Sequence, residues 1–219
     1  MSREKTLSCL RQQLAQNFAQ ASPKEPALSW NHLPTKIACL DELGLAQGTI
    51  QEIVAEPSSG STRLIERLLR SAQPEGLIAL IDGTDQFDPS SIVDHAHPMP
   101  HFLWARCRHI KEALKATDWL LRDGNIPKIL LDLQGTSPRD LQQVPLAAWH
   151  RLRGLTQESG STFLAFTPCS SIPCAQTRLR LKSCLDLSLL EEPSEHLKLP
   201  IHVEKSSRQT PVLSLPKAS

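Results

Sequence analysis

The sequence predicts an α/β domain built on a mostly parallel central sheet with helices on both faces. Three observations predict it. The runs Leu77-Ile78-Ala79-Leu80-Ile81 and Ile129-Leu130-Leu131 are continuously apolar, the pattern of strands covered on both faces. Strand-like and helix-like periods alternate through the middle of the chain, the order that parallel strands require. Residues 51–70 pass from the apolar strand Gln51-Glu52-Ile53-Val54-Ala55 through Glu56-Pro57-Ser58-Ser59-Gly60-Ser61-Thr62 into a helical run. Strand, small-residue loop and helix form the local context of a phosphate-binding loop.

Taken in order, residues 3–20 suit an amphipathic helix, with Leu7, Leu10, Leu14 and Phe18 at three- or four-residue spacing. That stripe must be buried against the core, a partner or a second copy. Pro23 and Pro26 break the helix and open a linker. The expected divisions are a helix at 1–21, a linker at 22–34, a core at 35–192 and a C-terminal extension at 193–219. Core strands are expected near 50–55, 77–82, 101–105, 127–133, 161–166 and 183–189. Helices are expected near 61–72, 89–96, 109–123, 138–158 and 174–181. Helix 109–123 puts Ile110, Ala113, Leu114, Ala116, Thr117, Leu120 and Leu121 on one broad face. Residues 196–205 suit an edge strand, and the Ser-, Pro- and Lys-rich end suits disorder.

Composition excludes several classes. With 219 residues the chain can bury a substantial single core, and a net charge of +1 gives no overall field for steering toward nucleic acid. No apolar run approaches the ~20 residues of a membrane span, and the charged start Met1-Ser2-Arg3-Glu4-Lys5, with no long apolar region after it, does not read as a secretory leader. A cytoplasmic location follows as the expectation. The six cysteines form no C-x-x-C pair, so they read as reduced, buried small hydrophobes. His95, His97 and His101 cluster in a Pro-broken connector, which reads as a solvated loop before it reads as a metal site.

A working phosphate loop reads G-x-x-x-x-G-K-[ST]. Here Ala55 holds the first glycine position, Gly60 the second, Ser61 the lysine position and Thr62 the last. Together with Leu40-Asp41-Glu42-Leu43, Leu80-Ile81-Asp82-Gly83-Thr84-Asp85-Gln86-Phe87-Asp88-Pro89 and Ile129-Leu130-Leu131-Asp132, this order of motifs resembles the RecA-type ATPase fold over residues 33–190. The segments Trp104-Ala105-Arg106-Cys107-Arg108, residues 112–124 and Ala175-Gln176-Thr177-Arg178-Leu179-Arg180-Leu181 resemble more specifically the ImuA branch, also labelled SulA-like. The resemblance implies a RecA-like fold with a degenerate nucleotide site. It also implies an accessory role in damage-induced, error-prone (translesion) DNA synthesis, beside an ImuB-like Y-family polymerase homologue and an error-prone DNA polymerase. Self-association through the N-terminal segment is a further implication, and none of the partners is a membrane.

The chemistry explains why the site is degenerate. Glycine amides wrap the phosphates, a lysine neutralises charge, and a Ser or Thr hydroxyl holds Mg²⁺. Ser61 supplies no charge, and the resemblance places Thr84 where RecA has its catalytic Glu; threonine is no general base at neutral pH. A further difference is Thr167-Pro168, where the family carries a Gln. Two readings of Ala55, Ser58, Ser59, Gly60, Ser61, Thr62 and Asp132 stand: a vestigial nucleotide site, or small residues that a tight turn and helix cap require. The expectation is a pseudo-ATPase with no cofactor, Mg·ATP being the alternative. An atypical ATPase borrowing Lys36 or Lys128 is the enzyme reading, and a SulA-like inhibitor of FtsZ-driven division is another. The loops at 134–140 and 168–173 are short and poor in basic residues. Arg106, Arg108, Lys111 and Lys115, and separately Arg178 and Arg180, are the basic candidates for nucleic acid.

Overall fold

A computed structural model describes residues 37–56, 58–71, 76–92, 101–181 and 201–206. The apolar runs become strands β1 (Thr49–Ala55), β2 (Ile78–Asp82), β3 (Phe102–Arg106), β4 (Lys128–Asp132), β5 (Thr162–Thr167), β6 (Thr177–Leu181) and β7 (Ile201–Ser206). They form one seven-stranded sheet in the order β3-β2-β4-β5-β1-β6-β7. Every neighbouring pair is parallel except β6 and β7. The order accounts for the apolar runs: β2, β4, β5 and β1 are interior strands, and nearly every residue in them is buried.

Successive residues of one strand serve opposite faces. In β2, Ile78 and Leu80 join a cluster with Leu40 of α1 (Ala38–Leu43) and Leu64 and Leu68 of α2 (Ser61–Arg70). Ala79 and Ile81 join the other cluster, with Ala113 and Leu121 of α3 (Ile110–Asp123) and Trp149 and Leu152 of α5 (Leu146–Ser159). Each fully buried leucine or isoleucine contributes about 1.5–3 kcal/mol. The described residues thus form a mostly parallel α/β sheet with helices on both faces. All of them belong to one of the two compact units of the chain, His32–Ser219.

Three expected elements take a different form. The helix expected at 174–181 is a turn followed by strand β6. Its Thr-Arg-Leu-Arg-Leu alternation has the period of a strand, and Leu179 and Leu181 are buried while Arg178 and Arg180 are only partly so. The helix expected at 138–158 is two, α4 (Pro138–Gln142) and α5, because Pro145 disfavours a helical Val144 and starts the second helix as its N-cap. The described part of the helix expected at 89–96, Pro89–Ile92, is a 3₁₀ turn, and residues 93–96 lie outside the described residues. The edge strand expected at 196–205 occurs as β7. The N-terminal helix with Leu7, Leu10, Leu14 and Phe18, the linker, and the strand expected at 183–189 lie outside the described residues. No helix among the described residues is long and apolar enough to cross a membrane.

Candidate functional site

The carboxyl ends of β1, β2 and β4 open onto a cleft of about 370 Å³. Ligands of open α/β sheets bind at this edge. One wall is the β1–α2 connection. Gly60, the N-cap of α2, adopts φ 85° and ψ 15°, a left-handed conformation that glycine takes without Cβ strain. Ser58 also has positive φ, 61°. The turn closes through the Ser59 amide donating to the Glu56 carbonyl at 3.2 Å and the Leu64 amide to the Gly60 carbonyl at 3.0 Å. Among the described residues no side chain caps α2 and its first turn holds no acid, so its leading amides lack a side-chain cap. Ser61 is buried, Thr62 is exposed, and both line the cleft. Ser59 is buried with no partner for its hydroxyl.

The opposite wall is held by two aspartates in cross-strand register, Asp82 and Asp132. Asp82 does not face a ligand. Its carboxylate accepts from the amides of Thr84, Gln86 and Phe87, at 3.4, 3.1 and 2.9 Å, and so shapes the turn after β2. Gly83 is required there: its amide donates to the Asp132 carbonyl at 2.8 Å, and a Cβ would lie 2.6 Å from that oxygen. Asp132 lines the cleft, with Oδ1 accepting from the Gln134 amide and Nε2 at 3.0 and 3.1 Å. Desolvation pushes its carboxyl above the usual aspartate range; the Gln134 donors pull the other way and the nearby Asp82 charge adds to the rise. Asp88, at the rim, is held below the usual range by the hydroxyl and amide of Ser90.

The lining therefore combines hydroxyls and amides (Ser58, Ser61, Thr62, Thr84, Gln86, Gln134) with apolar Ala55, Ile65 and Phe87. Among the described residues Asp88 and Asp132 are its charged side chains, and no described lysine or arginine lines it. The structure brings together Ala55, Ser58, Ser61, Thr62, Thr84 and Asp132 along one cleft. Ser59 and Gly60 shape the loop without lining the cleft. Lys128 sits at the start of β4, four residues from Asp132 and so about 13 Å away along the strand. Its buried ammonium donates to the Ser71 hydroxyl at 2.9 Å, which takes it out of reach of the cleft. Lys36 lies outside the described residues, as do His95 and His97; His101 is exposed, and no metal-binding group of three or more residues occurs among the described residues.

The basic candidates are dispersed. Arg106 pairs with Asp85 at 2.6 Å and lies over the Trp104 ring at 5.1 Å, while Phe87 meets Trp104 edge-on. Hydrogen bonding to Arg106 lowers the pKa of Asp85. Arg108 and Lys111 are exposed, and Lys115 lies 4.9 Å from the Trp119 ring centroid. Arg180 pairs with Glu204 on β7 and approaches Glu56 at 3.9 Å. Arg178 belongs to the interior: its Nε donates to Glu52 at 2.6 Å and its Nη2 to the Ile172 carbonyl at 3.0 Å.

Glu52 is the residue that sequence reasoning missed. Fully buried in β1, it accepts from Thr167 Oγ1 (3.0 Å) and the amides of Ser171 (2.6 Å) and Ile172 (3.1 Å), besides Arg178. It ties the β5–β6 loop to the strand that leads into the β1–α2 connection. The signal was available: a carboxylate inside an apolar strand demands a buried partner. No family model and no curated protein sequence matches the chain.

Proposed function

We propose that this chain is a RecA-like domain whose nucleotide site has lost its chemistry. In this reading it acts through protein contacts, as a scaffold or regulator for an ImuB-like polymerase homologue in error-prone DNA synthesis. The fold reading draws on the parallel sheet, with the phosphate-loop remnant after β1 and Asp132 ending β4. The partner reading draws on the sequence resemblance.

The observation that carries the non-catalytic reading is the charge of the cleft. A triphosphate entering it would meet Ser61 in place of a lysine and Thr84 in place of a carboxylate base. Among the described residues Asp88 and Asp132 would oppose it, with the α2 dipole in favour. Charged hydrogen bonds contribute about 1.5–3 kcal/mol each, so losing the lysine alone weakens binding about 10- to 150-fold. Equilibrium binding of Mg·ATP to the whole chain, beside Ser61→Lys, tests this. The expected result is no saturable binding and no hydrolysis by the parent, with measurable binding gained by the variant. Turnover by the parent protein would overturn the reading. Co-purification with a Y-family polymerase homologue, with no effect on FtsZ assembly, tests the partner class.

A further inference from the structure

The outer face of α3 holds a second constellation, remote in kind from the cleft and independent of its interpretation. Lys115, Trp119 and Arg122 follow one another at i, i+4 and i+7, which places them on one side of the helix. Trp119 is 61% exposed, an unusual setting for so large an apolar ring, and Lys115 lies against it. Beneath them Asp118 binds two arginines. Arg122 of the same helix donates Nε at 2.9 Å, and Arg151 of α5 approaches with Nε at 2.7 Å and Nη2 at 2.9 Å. The carboxylate is 14% exposed, the two arginine side chains 54% and 58%.

One carboxylate shared by two guanidiniums leaves a net positive charge. It also fixes both planar forks in place, and Arg122 spends only Nε on it, so further donors are free to point outward. The other acids of α3 are engaged elsewhere: Glu112 with His109 and the Arg108 amide, Asp123 with the Asn125 amide group. We infer that this face binds single-stranded nucleic acid, with phosphates on Arg122, Arg151 and Lys115 and a base stacked on Trp119. Single-strand sites combine these two components, cations for the backbone and an open aromatic face for the bases. A protein hot spot centred on a tryptophan is a desolvated pocket, whereas the contacts of Trp119 and its helix neighbours here are cationic.

The test is fluorescence anisotropy of labelled oligothymidine with the full chain, across salt from about 50 to 200 mM. Binding that weakens with salt is expected, and Arg122→Ala or Arg151→Ala should each lower the log–log salt slope by about 0.7. Trp119→Ala should weaken binding about 5- to 150-fold, and Trp119→Phe, which keeps a stacking ring, should retain most of it. These side chains are exposed, and circular dichroism of each variant checks that the fold is intact. No binding by the parent chain at low salt would overturn the proposal, as would equal affinity of Trp119→Ala. Binding of polyglutamate that depends on the same residues, without oligothymidine binding, would also overturn it and assign the face to an acidic protein.

Discussion

Glu52 and Asp132 are both acids on interior strands, and their environments treat them oppositely. Glu52 has three neutral donors and a guanidinium around a fully buried carboxylate. Removing one partner of such a pair leaves the rest uncompensated, so Glu52→Ala is expected to cost about 3–5 kcal/mol, read by urea unfolding. Glu52→Gln retains an acceptor oxygen and should cost less. An alanine variant as stable as the parent would show that the cluster is not a structural tie. Among the described residues Asp132 has donors from Gln134 alone, and burial raises its pKa. The folded chain therefore keeps this proton to higher pH than the unfolded chain. Ionising it costs stability as pH rises from the ordinary aspartate range through the raised value. Asp132→Asn, which preserves the Oδ1 acceptor, should be more stable than the parent at neutral pH. The gap should close below the ordinary aspartate range; a gap independent of pH would contradict the assignment.

The β1–α2 connection is the element on which the cleft depends. Gly60 must be left-handed for the chain to turn from the strand into the helix. A Cβ in that conformation costs roughly 1–2 kcal/mol, so Gly60→Ala should lower stability by that amount in thermal or urea unfolding. An unchanged midpoint would mean that the loop refolds around the alanine at no cost. Strand β6 shows how context decides an element. Its five residues supply two buried leucines to one face and send Arg178 to Glu52 across the other. Within a helix the same residues could not do both, since successive positions would not face opposite sides.

Across the whole molecule, function depends on where charge is placed rather than on its total. The net charge of +1 gives no global field. Among the described residues the cleft carries carboxylates without lysine or arginine, while the α3–α5 surface carries arginines held by one aspartate. The two surfaces thus have opposite electrostatic character. A strong polyanion site at the sheet edge is disfavoured by its own lining, whereas the helical face is suited to one.

Much of this was legible in the chain. Continuous apolar runs reported buried parallel strands because both faces of an interior strand must be covered. The spacing of Ala55, Gly60, Ser61 and Thr62 located the loop because a strand-to-helix turn is local. That position 61 holds serine and not lysine was equally visible. What required tertiary structure was every relation between residues distant in sequence. Arg178 looked like a surface cation until Glu52, 126 positions away, was placed beside it. Lys128 looked available until β4 carried it to the opposite end of the strand from Asp132. Arg122 and Arg151 became one unit only when α3 packed on α5. Local sequence determines period and turn, because these depend on neighbouring residues. Charge pairing depends on which distant residues the sheet order brings together.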